Sequence, residues 1–232
     1  MRLHRESLVM DPRCLPLFPI PIALYNFVDK THDLNVSLLT DILAENHKDA
    51  EGKTRSNMGG WHSKGGLEND YGSFGQLRGI IEKWANHFCE QHGFLQGLTC
   101  DQLWANINES GDFNLGHHHG RASLSGVYYP VDYLTNSNEC YFNYDPNAII
   151  KPGTWNGKDG GSLYFQDPSY GLKNTLLKDP NNPSPYTFDA YYTYPVSGLL
   201  IFFPSYLIHT VTPFKENKKR VSISFVCGYG KT

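Results

Sequence analysis

The sequence predicts a mainly β fold, a sandwich or barrel, with two flanking α-helices. Aromatic residues make up 14% of the 232-residue chain, and strands favour aromatic side chains. The 22 Gly and 14 Pro residues indicate many turns between short strands. In the second half of the chain, short apolar runs alternate with turn-forming clusters, which is typical of sandwiches and barrels.

The first half of the chain contains both predicted helices. Residues Asp33–Asn46 place leucine and isoleucine at helical spacing, and Asp33 is the predicted N-cap. The second helix is predicted over Phe74–His92, because its apolar residues share one face and Gly93 suits a C-terminal cap. The preceding segment, Leu15–Val28, contains three prolines and is predicted to be extended.

Five strands are predicted in the second half, at Leu98–Asn108, Leu124–Tyr129, Gly161–Gln166, Gly198–Pro204 and Val221–Gly228. Two long polar segments, Asp132–Lys158 and Asp167–Tyr194, are predicted to be functional loops or a lid. No repeat or linker divides the sequence, so one domain is predicted over residues 1–232. Its helical support would cover roughly residues 30–95 and its β core roughly residues 98–230.

Composition excludes several classes of function. The net charge is −3 and the longest basic run is Lys218–Arg220, which argues against duplex nucleic-acid binding. The five cysteines lack CxxC spacing, so neither a zinc knuckle nor a disulfide framework is predicted. Residues Met1–Met10 do not resemble a signal peptide, and no apolar run approaches the roughly 20 residues of a membrane span. A cytoplasmic protein is predicted, and its oligomeric state is left open.

Histidines form the first candidate site. In an extended segment alternate side chains share a face, so His117 and His119 should point together and His118 away from them. His209, after the apolar run Leu199–Phe203, is the predicted third ligand. Three protein ligands leave positions open for chemistry at an iron or zinc ion. The alternative is that these are hydrogen-bonded structural histidines.

Arg220 opens the last predicted strand, eleven residues after His209. A buried arginine is costly unless it is paired with an anion, and its guanidinium binds a carboxylate through two hydrogen bonds. Ser222 should face the same way and donate to the same carboxylate. This pattern suits a 2-oxo acid, whose keto-acid end would bind the metal and whose distal carboxylate would bind Arg220 and Ser222.

These residues resemble the 2-oxoglutarate/iron(II) oxygenases of the prolyl-4-hydroxylase-like group. Further motifs are similar to an uncharacterised subfamily of these oxygenases, namely SNMGGWHS (56–63), WANIN (104–108), HHHGRASLSGVYY (117–129), SLYFQDP (162–168) and GLLIFFPSYLIHTVTP (198–213). The resemblance implies a double-stranded β-helix, also called a jelly roll or cupin-like fold. It also implies Fe(II) and 2-oxoglutarate as cofactors, and a dioxygenase that hydroxylates a small-molecule or peptide substrate.

Carried over residue by residue, the resemblance makes His117 and His209 iron ligands and Arg220 the salt-bridge partner of 2-oxoglutarate. Asn108 falls where these enzymes have a tyrosine that hydrogen-bonds the co-substrate. The usual motif has Asp or Glu where this chain has His119, so the iron site would be more positive by one unit.

Other readings of the three histidines remain. They also suit a zinc hydrolase or lyase, which would have no use for Arg220 and Ser222. A dioxygenase independent of 2-oxoglutarate and a non-catalytic cupin-like binding protein are further alternatives. Asp112 is a weaker candidate for a carboxylate ligand, because its spacing departs from the motif.

Several aromatic residues have predicted positions. Trp61 and His62 either line the substrate entrance or plug the barrel. Tyr128 and Tyr129 alternate along their strand, so one of them should face the pocket. The predicted core includes Phe202, Phe203 and Phe225.

Overall fold

The computed structural model describes residues 20–27, 30–135, 137–141, 151–152, 160–169 and 189–230. The helices there are α1 (His32–Lys48) and α2 (Ser73–Gln91), with a short 3₁₀ turn at Leu67–Asn69. The strands are β1 (Ala23–Asn26), β2 (Asn57–Met58), β3 (Trp61–His62), β4 (Leu98–Asn108), β5 (Phe113–His117), β6 (Leu124–Tyr129), β7 (Tyr133–Leu134), β8 (Cys140–Tyr141), β9 (Lys151–Pro152), β10 (Leu163–Gln166), β11 (Ala190–Thr193), β12 (Leu199–Pro204), β13 (His209–Val211) and β14 (Arg220–Tyr229).

Both predicted helices are confirmed, with small shifts at their ends. The predicted N-cap of α1 is wrong: Thr31 occupies that position, and Asp33 lies in the first turn, where a carboxylate still favours the helix dipole. Gly93 follows α2 with a φ of 71°, a conformation that favours glycine. No helix in the described part of the chain is both long enough and apolar enough to cross a membrane.

The described strands form two antiparallel six-stranded sheets and a small two-stranded sheet of β7 and β8. The major sheet has the order β1-β12-β6-β14-β4-β3, and the minor sheet has the order β2-β5-β13-β10-β11-β9. All five predicted strands are confirmed to within two residues. Most of the two predicted loops lies outside the described residues, as do Met1–Met10, Cys14 and the first part of Leu15–Val28. The other four cysteines are free thiols.

The major sheet separates two hydrophobic clusters. One cluster joins the buried faces of α1 and α2 to the outer face of the major sheet and includes Phe202 and Phe225. The other lies between the two sheets and includes Phe203. Both helices therefore pack on the outside of one sheet, as predicted, and all three phenylalanines are core residues.

Gly126 in β6 lies where backbone and aromatic packing leave no room for a side chain. It lies opposite Phe202 in β12 and Phe225 in β14. A Cβ atom there would collide with the ring of Phe225 and the backbone oxygen of Ile201. The sheet therefore requires glycine at this position.

We predict that Gly126→Ala lowers the free energy of unfolding by about 1–3 kcal/mol, as overpacking does. The control is Gly79→Ala in α2, where a Cβ would meet no atom within 4 Å. That change should raise the free energy of unfolding by about 0.5–1 kcal/mol. Urea denaturation of both variants measures the difference, and equal stabilities would contradict the packing described here.

Candidate active site

The structure brings the three predicted histidines together. His117 ends β5 and His209 begins β13, and the two residues lie opposite each other in the antiparallel pair. His119 lies beyond β5, where its backbone N–H donates to the carbonyl of Ser205 at 2.9 Å. One ring nitrogen from each histidine lies within 4.8 Å of the others. His118 is exposed and outside this cluster, as predicted.

Hydrogen bonds to the backbone orient two of the three imidazole rings. Nδ1 of His117 lies 2.7 Å from the carbonyl oxygen of Leu115, and Nδ1 of His209 lies 2.9 Å from that of Leu207. Since a carbonyl only accepts, each Nδ1 carries the hydrogen and each Nε2 keeps its lone pair. Metal-ligating histidines are commonly held by this kind of partner. The Ser56 hydroxyl lies 3.3 Å from Nε2 of His117 and is the donor to it.

The electrostatics of the cluster favour neutral imidazoles. Burial, reinforced by the neighbouring histidines, lowers the pKa of His209 to about 3 and the pKa of His119 to about 4. Burial also lowers the pKa of His117. All three side chains are therefore neutral at pH 7, which is the form that binds metal ions. The described residues place no carboxylate in this cluster.

Asp112, the weaker candidate ligand, lies in the turn between β4 and β5. Its carboxylate accepts a hydrogen bond from the backbone N–H of Glu109 at 2.6 Å. It is not a member of the histidine cluster. The donor set available to a metal ion from the described chain is thus three imidazole nitrogens, a set that suits iron or zinc.

Arg220 is only 2% exposed. Its Nε donates to the carbonyl of Gly161 at 2.8 Å, and its Nη1 donates to Ser222 Oγ at 2.9 Å and Asn108 Oδ1 at 3.3 Å. Its Nη2 donates to the hydroxyl of Tyr129 at 3.0 Å. No carboxylate of the described residues pairs with it. A buried guanidinium held only by neutral groups keeps its full charge and suits an anionic ligand.

Two partners of Arg220 were not assigned to it from the sequence. Strand alternation left Tyr128 and Tyr129 equivalent, and the structure turns Tyr129 to Arg220, while the Tyr128 hydroxyl bonds Asn35 on α1. Burial raises the pKa of Tyr129 and keeps it a neutral phenol. Gly161 has a φ of 76° and a Cβ there would lie 3.1 Å from Arg220 Cδ. No sequence signal marked it beyond its identity as glycine.

A cavity of about 960 Å³ joins the histidine cluster to Arg220 and Ser222. Its wall also includes His62 and Trp104, whose rings stack at a centroid distance of 5.8 Å and an angle of 7°. Trp61 instead belongs to the core beneath the helices. Of the two residues with open roles, His62 therefore lines the cavity and Trp61 packs in the interior. Asn108 accepts a hydrogen bond from Arg220 and is not among the residues that line the cavity.

Comparison with solved structures shows the fold. A Pseudomonas putida prolyl-4-hydroxylase is 15% identical with a TM-score of 0.58, covering 91% of this chain and 94% of that one. SnoN, a non-haem α-ketoglutarate-dependent epimerase of nogalamycin biosynthesis, is 14% identical with a TM-score of 0.58, covering 90% and 76%. A Trichoplax adhaerens prolyl hydroxylase, solved with a peptide of hypoxia inducible factor, is 12% identical with a TM-score of 0.51, covering 88% and 83%. The predicted double-stranded β-helix is thereby confirmed.

Sequence comparison shows the family. No curated protein matches the chain. The family model described as "Putative 2OG-Fe(II) oxygenase" matches residues 102–226, which contain every predicted metal and co-substrate residue. The match gives no support to a zinc hydrolase, a co-substrate-independent dioxygenase or a non-catalytic binding protein. Because it spans more than half of the chain, this protein belongs to the 2-oxoglutarate/Fe(II) oxygenase family and is a dioxygenase that uses Fe(II) and 2-oxoglutarate.

Proposed function

We propose that His117, His119 and His209 bind the Fe(II). Arg220 and Ser222 bind the distal carboxylate of 2-oxoglutarate, and a small-molecule or peptide substrate enters the same cavity to be hydroxylated. The observation that supports this assignment is that one cavity joins three neutral imidazoles to a buried arginine without an acidic partner in the described chain.

Iron and 2-oxoglutarate, when bound, supply the activation of dioxygen, and the chain supplies binding, orientation and a dry pocket. The backbone carbonyls of Leu115 and Leu207 fix the rings of His117 and His209 so that Nε2 of each carries the lone pair that would bind the metal. Fixed rings reduce the entropy lost when the metal binds.

Ser222 and Asn108 have different roles in this proposal. Ser222 Oγ accepts from Arg220, so its own hydrogen is available to a carboxylate. Asn108 Oδ1 accepts from the same Nη1 and lies outside the cavity wall. Asn108 is therefore a positioning residue that holds the guanidinium, rather than the direct contact to 2-oxoglutarate that the resemblance implies.

His119 changes the charge of the site. With three neutral ligands, Fe(II) keeps both of its charges, and the 2-oxoglutarate dianion balances them. The positive charge of Arg220 then remains, whereas a carboxylate ligand in place of His119 would neutralise it. The three-histidine set therefore favours anions in the cavity, including the co-substrate itself.

We predict that alanine substitution of His117, His119 or His209 lowers Fe(II) affinity by more than about 100-fold. Mutation of a residue that hydrogen-bonds to a metal ligand typically lowers metal affinity by about 10–100-fold, and loss of the ligand itself should lower it further. The matched control is His118→Ala, which removes an exposed histidine from the same triplet. Anaerobic titration with Fe(II), monitored by calorimetry, measures the affinities. Equal losses in all four variants, or no loss in the first three, would refute the assignment.

We further predict that 2-oxoglutarate added to the anaerobic Fe(II) protein produces a visible charge-transfer band. Arg220→Lys should weaken 2-oxoglutarate binding by about 10–100-fold, because an ammonium cannot replace the guanidinium fork. Ser222→Ala should weaken it by about tenfold. Neither change should alter Fe(II) affinity.

The control for this titration is Arg121→Ala, which removes an exposed arginine close to the histidine triplet. It should leave both affinities unchanged. Circular dichroism confirms that each variant is folded. An Arg220→Lys protein that binds 2-oxoglutarate as well as the native protein would place the co-substrate elsewhere.

A further inference from the structure

The cavity is lined by more positive than negative charge, unlike the chain as a whole. Its described lining contains four basic side chains and two acidic ones, although the whole chain has a net charge of −3. Arg220 lies deep in the cavity, whereas Lys53 is half-buried and Arg55 is exposed. Lys53 and Arg55 therefore sit where an incoming substrate would meet them.

The other charged groups of the lining are already engaged. Lys64 forms an ion pair with Asp49 at 2.9 Å. The carboxylate of Glu68 accepts the backbone N–H of Leu103 at 3.1 Å, and Asp101 accepts a threonine hydroxyl at 3.1 Å. The side chains of Lys53 and Arg55 have no ion pair or hydrogen bond to any residue in the described ranges.

A row of aromatic rings links these two cations to the histidine cluster. Trp104 lies between His119, at a centroid distance of 5.6 Å, and His62, at 5.8 Å. The backbone N–H of Lys53 donates to the carbonyl of His62 at 2.8 Å, so the segment that carries Lys53 and Arg55 lies beside His62. The rings of Trp104 and His62 are half-buried and parallel to within 7°, and the ring of His119 is tilted by 58° from that of Trp104.

We propose that the substrate has an oxyanion group, a carboxylate or a phosphate, that binds Lys53 and Arg55, and a planar apolar body that lies against Trp104 and His62. This inference rests on the proposed function, since it assigns the substrate of that site. Stacking on Trp104 would bring the far end of such a molecule to His119 and the metal position. The oxyanion would also offset the positive charge that the three-histidine ligand set leaves in the cavity.

Matched naphthyl compounds test the proposal by direct binding to the full-length chain. The probes are 2-naphthoate, 2-naphthyl phosphate and the neutral methyl 2-naphthoate, each measured by calorimetry. Titrations are made with Fe(II) and 2-oxoglutarate present without oxygen, and again without either. The titrations without Fe(II) and 2-oxoglutarate do not depend on the proposed iron ligands. They therefore test the substrate proposal even if the assignment of those ligands is wrong.

We expect both anionic probes to bind about tenfold more tightly than the ester, as two partly exposed ion pairs allow. The double variant Lys53→Ala/Arg55→Ala should abolish this preference. Lys64→Ala is the matched control, because Asp49 already neutralises that lysine in the same lining, and it should keep the preference. Trp104→Ala should weaken charged and neutral probes alike.

Several results would overturn the inference. One is an ester that binds as tightly as the acids. Another is a preference that survives in the double variant but is lost in Arg220→Lys, since the probe would then occupy the 2-oxoglutarate site. Unchanged affinities in Trp104→Ala would show that the planar body of the probe does not lie against Trp104.

Discussion

A single buried positive charge constrains one end of the barrel. Removing a guanidinium from water costs several kcal/mol unless good partners replace the solvent, and Arg220 is 2% exposed. Its four acceptors come from β4, β6, β14 and the segment before β10. The ends of three neighbouring strands of the major sheet and the approach to the minor sheet are therefore fixed around this one side chain. All four acceptors are neutral, so the charge stays available to an anion.

The histidine cluster depends on strand pairing rather than on local sequence. His117 and His209 are far apart in the chain and meet because β5 and β13 pair with these two residues opposite each other. The register shifts between His209 and Val211, so the irregularity lies beside the site. His119 is outside any strand, and the bond from its backbone N–H to Ser205 holds it near the others. A shift of one residue would turn a ligand away from the cavity.

The sequence predicted the elements that have strong residue patterns. It did not predict which of two adjacent residues, such as Tyr128 and Tyr129, faces a given side of a strand. The helices and the alternation of His117 with His118 follow from a single buried face, which the spacing of the residues reveals. Strands β6 and β12 are buried on nearly every residue, and continuous apolar runs marked them. The side that Tyr129 faces depends on which sheet surface packs against α1, and this is a tertiary contact. The short strands β2 and β3 have too few residues for a pattern.

The sequence also did not predict the N-cap of α1 or the residues that hold Arg220. Asp33 and Thr31 are both reasonable caps, and the structure starts α1 at His32 with Thr31 before it. The position of Asn108 behind Arg220 depends on the register of β4 against β14, where the two residues lie opposite each other. Glycines such as Gly161 are common, and only its φ of 76° and the close approach of Phe214 and Arg220 show why this one is needed. Function therefore follows here from contacts between distant segments, while fold follows largely from periodicity.

Charge connects the replaced ligand to the choice of substrate. In the proposed site His119 stands where related motifs have a carboxylate, and one negative charge is missing from the metal position. The same cavity has Lys53 and Arg55 at its mouth, in a protein whose net charge is −3. A cationic cleft in an acidic protein concentrates anions and directs them inward. The missing carboxylate and the two cations thus act in the same direction, because an anionic substrate can supply at binding the charge that the protein does not place beside the metal.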